Sequence, residues 1–109
     1  MPSTRREKIE AMLKDEPDDV FLRYSLALEL ASEDAVEPSL EILESLARGS
    51  QPYVPAFHMA GQQLVRHGRI EEARRALREG IEEARRQGNS HAAGEMAELL
   101  ASLGAAGES

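Results

Sequence analysis

Apolar and small residues recur along this chain at steps of three and four. The clearest run lies within 56–86: Phe57, Ala60, Gly61, Leu64 and Val65, then Ile70, Ala73, Leu77, Ile81 and Ala84. That spacing is the period of an amphipathic helix and not of a strand. His67-Gly68 interrupts the run, and a glycine ends a helix by taking a left-handed conformation at low cost. A helical hairpin is predicted here, and the remaining segments repeat it, lead into it or close it off.

Taken in order, the first helix follows Ser3-Thr4, carries a narrow apolar face of Ile9, Met12 and Leu13, and stops before Pro17, which pushes the preceding residue out of the helical region. Asp18 or Asp19 is placed to cap a second helix from Val20 to about Ser32. Only Arg23, Ser25 and Glu29 interrupt its apolar surface, so it is expected to be the central, most buried helix. Residues 32–38 read as a longer turn, with Pro38 in the first turn of a third helix bearing Leu40, Ile42, Leu43, Leu46 and Ala47. Gly49-Ser50-Gln51-Pro52 stops that helix, and Pro55 opens the fourth. The fifth runs from about Ile70 to Arg86. Ser90 is expected to cap a sixth with Ala93, Met96, Ala97, Leu100 and Leu103 on one face, and 105–109 reads as a disordered tail.

Composition narrows the picture. A length of 109 residues suits one domain. Aromatics are only 4%, so the core must be built from Leu, Ile, Val, Ala and Met, which favours closely packed helices. The net charge of −7 repels a phosphate backbone, so no nucleic-acid partner is expected. Seven arginines lie from Arg66 to Arg86, but they alternate with Glu71, Glu72, Glu79, Glu82 and Glu83. Glu71–Arg75 and Glu82–Arg86 have the favourable i,i+4 order, which reads as a solvated, self-paired helix face. With no cysteine there is neither a disulfide framework nor a thiolate metal site. No apolar run approaches the ~20 residues of a membrane span, and the N-terminus lacks a signal peptide's apolar stretch. No membrane partner and a cytoplasmic location are the expectations.

An internal period is present. Ile9, Leu43 and Leu77 are spaced at 34, as are Val36 and Ile70; Phe21–Phe57, Ser25–Gly61 and Leu28–Leu64 are spaced at 36, and so are Gly61–Ala97, Leu64–Leu100 and Gly68–Gly104. Residues 54–87 resemble a tetratricopeptide repeat, a 34-residue helix–turn–helix unit. Its first aromatic falls on Phe57, its Leu-Gly pair on Ala60-Gly61, its next large residue on Leu64 and its turn glycine on Gly68. Glu72-Ala73, Leu77 and Gly80 fill the positions of the second helix. Gly61 and Ala73 would let the two backbones approach closely. Residues 18–51 resemble a degenerate copy with two extra residues in its turn. The resemblance implies an all-α fold: a right-handed stack of antiparallel helix pairs, about six helices, in a single domain over 1–104. Within it, 3–16 is a capping helix, 18–51 the degenerate repeat, 54–87 the best repeat and 90–104 a second capping helix.

The same resemblance implies a non-catalytic scaffold that binds a peptide or partner protein in the groove lined by the first helix of each unit. The implied groove positions are Asp19, Leu22, Arg23, Leu26 and Glu29, then His58, Met59, Gln62 and Arg66, then His91, Glu95 and Glu98. Of these, Arg23, Glu29, His58, Met59, Gln62, Arg66, His91 and Glu95 are the candidate binding residues. The family's basic-and-amide clamp for chaperone carboxylates does not transfer, because Leu22, Leu26, Met59, His91 and Glu95 stand in its positions. His58, His67 and His91 lack the spacing of metal ligands, and no nucleophile elbow or phosphate-cradling glycine loop occurs. No cofactor, metal or catalysis is therefore expected. Self-association is the alternative, because Met96, Leu99, Leu100 and Leu103 exceed what one helix contact needs.

Overall fold

Among the described residues six helices form in sequence: α1 (Thr4–Asp15), α2 (Val20–Ser32), α3 (Val36–Ala47), α4 (Val54–Arg66), α5 (Ile70–Arg86) and α6 (Ser90–Ser102). The computed structural model describes residues 4–104, without a strand among them; Ser3 and the tail at 105–109 lie outside the described residues. Each helix packs on its neighbours in sequence, and α6 also reaches α4.

Three of the connections are the same turn. After α2, α4 and α5 the chain places one residue at positive φ: Asp34 at 60°, Gly68 at 74° and Gly88 at 76°. Each turn closes with paired backbone bonds. The amides of Asp34 and Ala35 donate to Ala31 and Leu30; those of Gly68 and Arg69 donate to Val65 and Leu64; those of Gly88 and Asn89 donate to Arg85 and Ala84. This is the Schellman ending, which satisfies carbonyls the helix would otherwise leave bare. The longer turn expected over 32–38 is absent, because Asp34 takes the left-handed position that glycine holds elsewhere. Helix α3 therefore starts at Val36, two residues before Pro38.

That shift corrects the register of the repeat. Helices α2 and α4 begin 34 residues apart, as do α3 and α5, while α4 and α6 begin 36 apart. Gly61 therefore corresponds to Ala27, Leu64 to Leu30 and Phe57 to Arg23. The 36-residue pairing of Phe21 with Phe57 is out of register. Phe21 is 70% exposed and Phe57 only 7%. The two additional residues belong to the unit of the long α5, not to the turn after α2.

Capping follows short polar side chains. Asp19 Oδ1 accepts from the Leu22 amide at 2.8 Å. At α6 the cap is Asn89, whose Oδ1 accepts from Ala92 N at 3.1 Å, and not Ser90, which is the first helical residue.

The core has two parts. The larger joins α4, α5 and α6 through Phe57, Leu64, Leu77, Ile81 and Met96; the smaller joins α2, α3 and the start of α4 through Ala27, Leu43, Leu46 and Ala56. Helix α2 is thus not the central one: only Ala27, Leu30 and Ala31 are buried on it. Its greasy N-terminal turn stays open, with Val20 41% and Phe21 70% exposed. Helix α4 takes the central place, touching α3, α5 and α6. Gly61 and Gly80 set its approach to α5. A Cβ on Gly61 would lie 2.6 Å from Leu77 Cδ2, and one on Gly80 would lie 2.5 Å from Phe57 Cβ. Ala73 is fully buried beside them.

Candidate functional site

Four of the eight candidate binding residues converge. His58, Met59 and Gln62 on α4 meet Glu95 on α6 around a cleft of about 190 Å³, with Tyr24, Val54, Pro55, Asn89 and Ala92 completing its lining. Gln62 Nε2 lies 3.4 Å from His58 Nε2, one turn apart on α4. The Tyr24 and Tyr53 rings meet edge to face at 5.2 Å between centroids. Burial, with Tyr53 nearby, raises the pKa of the Tyr24 hydroxyl above its ordinary value. The cleft therefore offers an apolar patch beside an imidazole, an amide and a carboxylate, a mixture that suits hydrogen bonding to a peptide.

The other four lie elsewhere. Arg23 donates to Ser45 Oγ on α3. Glu29 pairs with Arg5 of α1 at 3.2 Å. Arg66 is exposed at the end of α4 and lines neither cleft. His91 sits 3.6 Å from Glu95 across one turn of α6 but outside the cleft lining. Register explains Arg23: the 34-residue step puts it at the Phe57 position, which faces the second helix of its own unit. Of the twelve expected groove positions, the cleft takes in His58, Met59, Gln62 and Glu95.

A larger cleft of about 570 Å³ runs between α3 and α5, floored by α4. Sequence reasoning treated this side as a solvated back. The signal that marks it is a run of small residues facing one another across three helices: Ala47, Ala60 and Ala76.

The charged α5 face also differs in detail. The expected i,i+4 pairs give way to i,i+3 pairs, Glu71–Arg74 and Glu83–Arg86. Arg69 bridges Glu72 at 2.8 Å and Glu37 of α3. Arg74 is largely withdrawn from solvent. It is 8% exposed and donates to the Leu103 carbonyl at 2.5 Å, tying α5 to the end of α6. Another pair of buried polar residues was missed. Ser39 Oγ donates to the Ala27 carbonyl at 2.7 Å and accepts from Gln63 Nε2 at 3.2 Å, linking α2, α3 and α4.

Of the α6 residues behind the self-association alternative, Met96 is fully buried and Leu103 is 5% exposed, while Leu99 and Leu100 are half-buried and pack partly against the same core. Among the described residues no group of three His, Cys, Asp or Glu could hold a metal ion, and no helix is long and apolar enough to cross a membrane.

No family model and no curated protein matches the chain. Two solved structures do. A tetratricopeptide repeat domain protein from Salinibacter ruber superposes with a TM-score of 0.75 at 28% identity, over 82% of this chain and 90% of that one. A protein from Bordetella parapertussis superposes with a TM-score of 0.78 at 26% identity, over 94% and 89%. Six helices in antiparallel succession, three of their turns alike, and these neighbours together give the chain a tetratricopeptide-like, all-α helical-repeat fold.

Proposed function

We infer that the chain is a non-catalytic protein-interaction module. It takes a peptide segment of a partner protein against the first-helix face, in the cleft of Tyr24, His58, Met59, Gln62 and Glu95. The observation that carries this reading is the convergence of His58, Met59, Gln62 and Glu95 on one cleft, in a fold whose neighbour is a tetratricopeptide repeat domain protein. Met59 offers apolar contact, while the Gln62 amide and the Glu95 carboxylate can pair with a peptide backbone. The test is a triple substitution, His58→Ala with Gln62→Ala and Glu95→Ala. These residues are exposed or half-buried, so the fold should be retained. Partners captured by the parent chain should be lost by the variant, and an unchanged set would sink the reading.

A further inference from the structure

The α3–α5 cleft lies on the other side of α4 from the peptide cleft and has the shape of a trough for a further helix. Its α3 wall is met at 37, 40–41, 43–44 and 47–48, and its α5 wall at 69, 72, 75–76, 79, 82–83 and 86. Steps of three and four mean that each helix presents one stripe along its whole length. The 12 residues of α3 extend about 18 Å at 1.5 Å per residue, or three turns. Leu40, Ala47, Ala60 and Ala76 are half-buried along this trough. Leu40 packs against both core clusters, so the trough follows the seam between them. Small side chains leave the seam unfilled, and α3 and α5 pack on α4 more than on each other.

The rims carry a residual charge. Arg48 is taken by Glu44, Arg69 by Glu37 and Glu72, and Arg86 by Glu83. Glu41 on the α3 wall and Glu79 and Glu82 on the α5 wall are exposed and have no ion pair among the described residues. Arg75 is the remaining guanidinium of the lining, and Glu72 already shares its field. Both walls therefore keep uncompensated carboxylates above an apolar floor.

We propose that this trough docks an amphipathic helix of a partner protein, presenting an apolar stripe flanked on both sides by Lys or Arg. The stripe, at i, i+3, i+4 and i+7, packs as a ridge into the groove between the two walls, and the basic flanks meet Glu41 on one side and Glu79 and Glu82 on the other. A second copy of this chain is a poor occupant, since each carries a net charge of −7 and like charges oppose docking.

The test uses a displayed library of 18-residue helical peptides with the apolar stripe fixed and the flanking positions randomised. Selection on the full chain should enrich Lys and Arg at the flanks. Amide shifts on titrating an enriched peptide should cluster at Leu40, Glu41, Ala60, Ala76 and Glu79. The reversal Glu41→Lys, Glu79→Lys, Glu82→Lys changes only exposed positions. It should keep the helical circular dichroism, weaken basic-flanked peptides at least tenfold and favour Glu-flanked ones. The His58, Gln62 and Glu95 variant should bind these peptides like the parent, which separates failure here from failure of the peptide cleft. Enrichment without basic flanks, no enrichment above an unrelated helical protein, or binding untouched by the reversal overturns the proposal. So does a concentration-dependent dimer abolished by the reversal, which assigns the trough to a second copy.

Discussion

The α4–α5–α6 unit and the α1–α2–α3 unit use the same turn but hold together differently. In the first, large apolar residues close on glycines. Gly61 admits Leu77, and Gly80 admits Phe57 and Met96. In the second, Ala27, Leu43 and Leu46 make a thin core, and polar ties do more. The Ser39 hydroxyl joins Ala27 and Gln63, while Arg5–Glu29 and Arg6–Glu33 hold α1 to the end of α2. One backbone geometry is therefore met once by shape and once by hydrogen bonding with modest packing.

Truncating a core leucine in each unit tests that contrast most severely. Leu77 and Leu43 are both fully buried, but Leu77 sits among large side chains held by two other helices, which collapse poorly onto a void. Leu77→Ala should cost about 3–5 kcal/mol and Leu43→Ala nearer 2–3 kcal/mol in urea unfolding. The reverse order would break the comparison.

Filling the glycine contact is the next largest effect. Gly80→Ala places a methyl 2.5 Å from Phe57 Cβ, which is not a flexible side-chain end and cannot swing aside. Overpacking should cost about 1–3 kcal/mol, outweighing the ~1 kcal/mol gain in helix propensity. Gly94 of α6 is the control: nothing lies within 4 Å of its Cβ position, so Gly94→Ala should stabilise by up to about 1 kcal/mol. Thermal melts of the pair should move in opposite directions.

The turns allow a finer comparison. Asp34 occupies at φ 60° the place that Gly68 and Gly88 hold, and a non-glycine residue there costs roughly 1–2 kcal/mol, with Asp among the better tolerated. Asp34→Gly should therefore stabilise by about 0.5–1 kcal/mol despite its more flexible unfolded chain, while Gly68→Ala should destabilise by a similar amount. Equal shifts of the same sign would mean the three turns are not equivalent.

These residues also show what was legible in the sequence. Helical period and glycine or proline punctuation placed all six helices, because local propensity and burial agree at Phe57, Gly61, Leu64, Ala73 and Leu77. The turn at Asp34 was misread because no glycine marks it, and that error moved the first-unit register by two residues. Phe21 then looked like core and Arg23 like groove. Phe21→Ser should change stability by less than about 0.5 kcal/mol, as for an exposed position. The buried Arg74 was hidden for another reason: beside Glu71 one turn away, it reaches backbone carbonyls about 30 residues away, which no local charge pattern reveals. The two clefts depend on which helices diverge, a tertiary property that period alone does not carry.

The smallest effect is electrostatic and bears on whether α3 and α5 are joined at one end of their trough. Arg69 lies in the α4–α5 turn and reaches Glu72 of its own unit and Glu37 of the other. The hydrogen bond from Arg69 holds the Glu72 carboxyl below its ordinary value. Glu83 is held below its own by the Gln87 amide and then Arg86. A depressed folded value contributes stability that is present above the unfolded pKa and is lost as pH falls through the folded one. Acid should therefore weaken α5 below the ordinary carboxylate range, slightly and less so at high salt, because these groups face solvent. Carbon-detected titration of the glutamates should find Glu72 and Glu83 protonating last on acidification. Arg69→Gln should return Glu72 to the usual range, leave Glu83 where it was, and loosen α3 against α5 in hydrogen exchange. If hydrogen exchange in α3 and α5 does not respond to that change, Arg69 does not couple the two units through Glu37, and the trough between them is held open by α4 alone.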